Sequence, residues 1–210
     1  MKNTKDSQYF TIHYEDKDLS LVNDTEKALN ENLSRLMKFF NLSALSGKIT
    51  VDIYPTLEDW IAFIESNGQI YQDYIVGLAN NGVISVLAYD QYKKTQMHKD
   101  RPFEDFLQII VHECVHICNY ERIENPDNSV CFIMEGLATY LSNQAYNPNV
   151  KADYNCETMC NYQTFYALED SYSVAQVLVR KMLKKMTAEE VIQYSGNLEK
   201  VWNDWKKIFD

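Results

Sequence analysis

Proline and glycine are scarce in this chain of 210 residues, with four and six copies, and neither an internal repeat nor a low-complexity tract interrupts it. That scarcity excludes a collagen-like or linker-rich protein, and 15 tyrosines with 9 phenylalanines point instead to packed chain. Long apolar runs are also missing. No window is apolar enough to span a bilayer, and Met1-Lys2-Asn3-Thr4-Lys5-Asp6-Ser7-Gln8 has no signal-peptide core, so the sequence predicts a soluble, cytoplasmic protein without a membrane partner. Basic residues are in deficit: 20 Lys and Arg against 30 Asp and Glu leave a net charge of -10, which disfavours nucleic acid and weakly favours basic peptides. Cysteines are few and odd in number (Cys114, Cys118, Cys131, Cys156 and Cys160), a pattern that predicts buried, reduced thiols rather than a disulfide framework.

What is present changes texture near residue 100. Upstream, short β-like runs alternate with helical ones: Phe10–Tyr14 reads as a strand, about 19–40 as a long amphipathic helix, and 48–54 as a second strand. Thr56 is placed to cap the next helix, with Glu58 and Asp59 in its first turn. The runs 75–79 and 83–89, separated by Asn80-Asn81-Gly82, predict a β-hairpin. Downstream the periodicity is helical near 103–121, 130–145, 173–186, 187–194 and 198–208. The expected class is α+β, in one domain, with a small N-terminal mixed sheet and a mainly helical C-terminal half.

The chemistry concentrates on Phe103–Cys118. At about 100° per residue, Phe103, Leu107, Ile110, Cys114 and Ile117 form one stripe, and His112 and His116 point away from it. Imidazoles at i and i+4 sit one turn apart, near enough to share one ion at about 2.0–2.1 Å. Glu113 lies beside that line rather than on it, where a base for metal-bound water belongs. The chain holds only four histidines, so two at this spacing around a glutamate are not read as chance.

A catalytic zinc takes three protein ligands and keeps one position open. The third is expected from the next helix, Cys131–Leu141, where Glu135 lies near the start and Gly136 and Ala138 are small enough to let that helix approach the first. Such a carboxylate closes a His₂Glu site.

His112-Glu113-Cys114-Val115-His116, followed after 18 residues by Glu135-Gly136-Leu137-Ala138-Thr139-Tyr140, resembles the gluzincin zinc peptidases. By pattern the nearest are the aminopeptidase-N family and the small peptidase-MA-like domains. The resemblance implies a zincin-like fold with an upper lobe at about 1–121, a lower lobe at about 122–210 and an active-site cleft between them. It implies one Zn²⁺ per chain on His112, His116 and Glu135, with Glu113 as general base for hydrolysis of a peptide or protein substrate. It also implies a donor for the developing oxyanion on a later helix. Ser171-Tyr172-Ser173-Val174 resembles the segment that opens that helix, which makes Tyr172 the candidate and leaves Tyr140, Tyr162 and Tyr166 as competitors.

Two departures matter. Thermolysin-like enzymes carry Asp where this chain has Thr139, which leaves Asp105, Gln108 and Asn119 as further candidates for holding the histidines' second N–H groups. The Gly-x-Met-Glu-Asn segment with which aminopeptidases capture a substrate amino terminus has no counterpart. Substrate is expected instead along Gly77-Leu78-Ala79-Asn80 as an added strand. The alternative is a zincin-fold binding or regulatory protein that cleaves nothing, against which the presence of Glu113 argues. A purely structural ion would recruit a fourth ligand such as Cys118 or Cys131.

Overall fold

The computed structural model describes residues 1–209. Its strands are β1 (Asn3–Asp6), β2 (Phe10–Tyr14), β3 (Ile49–Tyr54), β4 (Gly77–Asn80) and β5 (Val83–Leu87). The helices are α1 (Leu19–Phe39), α2 (Leu57–Ser66), α3 (Tyr89–Tyr92), α4 (Phe103–Tyr120), α5 (Cys131–Leu141), α6 (Cys156–Cys160), α7 (Tyr162–Tyr166), α8 (Ser171–Lys185), α9 (Ala188–Ser195) and α10 (Leu198–Phe209). The class is α+β, as the sequence implied.

The strands form one mixed sheet in the order β1-β2-β3-β5-β4. β2, β3 and β5 run parallel, while β1 and β4 lie antiparallel at the two edges. In β3 the alternation of Ile49, Val51 and Ile53 with Thr50, Asp52 and Tyr54 sends the apolar set to the buried face, as a period of two requires. Parallel neighbours need crossovers, and α1 supplies the one between β2 and β3. β4 and β5 are joined by Asn81 and Gly82, whose φ values of 48° and 77° are the left-handed pair that a tight two-residue hairpin demands. Thr56 caps α2 by accepting from the Asp59 amide at 3.1 Å.

The chain divides into two units, one made of 1–34 and 45–117, the other of 35–44 and 118–210. The first contains the whole sheet. The second is helical among its described residues, with α5 packed along α8. Gly136 makes that packing possible: a Cβ there would stand 2.5 Å from both the Ala175 carbonyl oxygen and Val179 Cγ2. Gly136 thus serves the packing of α5 on α8, a partner that the sequence did not point to.

Three stretches were not anticipated. The strand expected over 83–89 ends at Leu87, and Tyr89 opens the short helix α3 instead. β1 is polar throughout, so no apolar alternation marks it. α6 and α7 are five residues each and start at asparagine caps, Asn155 accepting from the Thr158 amide and Asn161 from the Thr164 amide. Five-residue helices carry too few turns for a periodicity to emerge.

Candidate metal centre

Helix α4 holds both candidate histidines. From Ile110 to Asn119 every residue is buried, polar ones included, so the contrast between a packed stripe and an opposite face, expected from the sequence, is absent over that stretch. His112 is 6 % exposed, Glu113 7 % and His116 9 %. The Nε2 atoms of His112 and His116 stand 3.1 Å apart. Two nitrogens bound tetrahedrally at about 2.0–2.1 Å would lie about 3.4 Å apart, so the rings are already at chelating separation.

α4 runs without a break from the first unit into the second, which begins at Cys118. In the second unit the Asn119 side-chain amide donates to Met134 Sδ at 2.9 Å, and Ser195 Oγ donates to Asn119 Oδ1 at 3.0 Å. Asn119 follows His116 by three residues, and Met134 immediately precedes Glu135, so this buried network fixes α5 against the last turn of α4. Glu135 is 8 % exposed. One ligand atom each from His112, His116 and Glu135 all lie within 4.8 Å of one another, the one such group among the described residues that could hold a metal ion. Two imidazoles and a carboxylate suit a borderline divalent cation in chemistry as well as in spacing.

Glu113 is positioned by a strand. A Cβ on Gly77 would meet Glu113 Oε1 at 2.8 Å and Ile109 Cγ2 at 2.9 Å, so β4 crosses α4 closely enough that a side chain there would have to displace one of them. β4 is an edge strand. The Leu87 amide donates to the Val76 carbonyl at 3.0 Å, and the register pairs Gly77 with Val86. Antiparallel alternation therefore turns the backbone groups of Leu78 and Asn80 toward β5 and those of Gly77 and Ala79 toward the outer edge.

Around Glu135 the structure places tyrosines. The Tyr166 hydroxyl donates to Glu135 Oε1. Burial, with the neighbouring Glu135 charge adding to it, pushes the Tyr166 phenol well above its ordinary range. Its ring meets Tyr162 at 4.5 Å and Tyr172 at 6.2 Å. Tyr172 lies in the first turn of α8 and is 36 % exposed. The sequence ranked Tyr166 only as a competitor, because nothing in its spacing shows that a five-residue helix turns it onto Glu135.

The candidates for holding the histidines are engaged in part elsewhere. The Thr139 hydroxyl donates back to the Glu135 and Gly136 carbonyls, and Asp105 pairs with Arg101 at 3.6 Å. Asn119 is committed to Met134 and Ser195. None of the five cysteines is in a disulfide, and all but Cys160 are buried. Cys156 and Cys160 lie 3.5 Å apart on α6, and burial raises both thiols. Among the described residues, no helix is long and apolar enough to cross a membrane.

No family model matches the chain, nor does any curated protein or solved structure.

Proposed function

We propose that the protein is a zinc-dependent peptidase of gluzincin type, acting on peptides or proteins laid along β4. The observation that carries this reading is the convergence of His112, His116 and Glu135 ligand atoms within 4.8 Å, with buried Glu113 next to the first ligand. Three protein donors fit a catalytic zinc better than a structural one, which takes four. Neither Cys118 nor Cys131 joins the group.

His112, His116 and Glu135 would hold the ion, which supplies Lewis acidity toward a carbonyl and lowers the pKa of water. The protein's own residues do the rest. Glu113 takes a proton from the attacking water and returns it to the leaving amine, a shuttle suited to a carboxylate beside the ligands but not among them. The outward backbone groups of Gly77 and Ala79 align an extended chain by strand addition, which sets the scissile carbonyl against Glu113. Gly77 keeps that approach open, since a side chain there would displace Glu113. Tyr172, exposed at the start of α8, is the donor assigned to the developing oxyanion. The net charge of -10 favours basic over acidic substrates.

The test pairs metal analysis with a peptide-library digest of wild type and Glu113→Gln. One zinc per chain in both, with cleavage by the wild type alone, is expected. Equal cleavage by the variant would remove Glu113 from the mechanism, and the absence of cleavage by the metal-loaded wild type would end the peptidase reading.

A further inference from the structure

The tyrosine at the C-terminal end of α7 has no role in the mechanism above, yet it is the group bonded to the candidate carboxylate ligand. We infer that Tyr166 is a positioning residue for the metal: its hydroxyl holds one oxygen of Glu135 and so fixes the orientation of the carboxylate. The inference rests on the metal reading of His112, His116 and Glu135.

A carboxylate has two equivalent oxygens and a free torsion. It can bind an ion through one oxygen or both, and it can turn away. A donor fixed to Oε1 removes that freedom before the ion arrives, so less ordering remains to oppose binding. The requirement is that the donor itself be fixed, and Tyr166 is. Its ring is packed against Tyr162, Phe165 and Tyr172, at centroid distances of 4.5, 4.9 and 6.2 Å. Its short helix is tied at the start by the Asn161 cap and by the Thr164 hydroxyl, which donates to the Thr158 carbonyl at 2.8 Å. Phe165, next to it, is fully buried and anchors the helix from the other side.

A phenol also suits the position better than a second carboxylate or a lysine. It donates one hydrogen bond without adding charge. A negative neighbour would compete for the ion, and a positive one would repel it.

Tyr166→Phe retains the ring packing and removes only the donor. Metal affinity is measured by competition with a chromogenic chelator, and the visible spectrum of the Co²⁺-loaded protein reports the ligand field independently of turnover. The expected result is zinc binding weaker by about 10- to 100-fold and a shifted Co²⁺ spectrum, with the metal-free variant still folded by circular dichroism. Tyr162→Phe, at a residue 63 % exposed, should leave both unchanged. Unaltered affinity and spectrum in Tyr166→Phe would overturn the inference while leaving the metal site standing. A wild type that binds no zinc would overturn both. If Tyr166→Phe fails to fold, Tyr166→Met fills much of the same space without a donor, and wild-type affinity in that variant would likewise refute the hydroxyl's role.

Discussion

Gly77 and Glu113 occupy adjoining space so closely that a side chain on the former must displace the latter: a Cβ would lie 2.8 Å from the Glu113 carboxylate and 3.2 Å from its Cγ. The strand residue thereby bears on where the Glu113 carboxylate sits. Gly77→Ala is expected to push the Glu113 side chain aside while leaving the metal ligands in place. Because misplacing a catalytic group by about 1 Å can cost about 100-fold, kcat/KM should fall by about 10- to 100-fold with zinc content unchanged. Loss of zinc along with activity would show that the strand supports the ligands instead.

Removal of the metal should destabilise the protein, since an ion that binds only the folded state adds its binding free energy to folding. At an ion concentration about 100 times the dissociation constant the gain is about 2.7 kcal/mol. For a chain of this size that corresponds to about 5–10 °C in Tm. A chelator should lower Tm by that amount and added zinc restore it. Glu135→Ala should show a small shift or none, as measured by differential scanning calorimetry.

Gly136→Ala sets two effects against each other. Alanine in a helix gains about 1 kcal/mol over glycine, but the new methyl would stand 2.5 Å from the backbone oxygen of Ala175. A backbone atom inside a helix cannot swing away, so α8 must shift, and overpacking of this kind costs about 1–3 kcal/mol. Net destabilisation is expected, read as a lower urea midpoint with an unchanged m-value.

Gln176 lies fully buried on α8, and neither its amide nitrogen nor its oxygen meets a hydrogen-bond partner. Leaving such groups unmet costs about 1–3 kcal/mol, whereas methionine fills nearly the same volume without polar demands. Gln176→Met should therefore raise stability by about 1 kcal/mol in chemical denaturation. A decrease would mean that the amide has a partner in solution, such as an ordered water.

The sequence disclosed most of what depends on periodicity or on a spaced pair. α4, α5, α8 and the β4–β5 hairpin emerged because each carries a turn-by-turn or residue-by-residue pattern, and His112 and His116 because helical geometry fixes how i and i+4 relate, whereas Glu135 followed from the need for a third ligand and from the motif around it. What stayed hidden depends on tertiary partners. β1 is an edge strand of Asn3, Thr4, Lys5 and Asp6, held by its pairing with β2 and not by any apolar alternation of its own. Gly136 was legible as a site of close approach, but not which helix would approach. Tyr166 was one of 15 tyrosines until α7 set its hydroxyl on Glu135.

The division of the chain has a consequence for anyone who wishes to study its parts. The helical unit draws on residues 35–44 as well as 118–210, so α1 starts in one unit and ends in the other, as α4 does. From that short segment the Phe40 carbonyl accepts from the Arg122 guanidinium, whose other end grips Glu189, and Arg35 donates to the Leu141 carbonyl. A fragment beginning at Cys118 would lose the Phe40 carbonyl and the Arg35 guanidinium, together with the fully buried Phe40 ring. Neither half can be excised by a single cut, and dissection would require circular permutation or co-expression of complementary pieces.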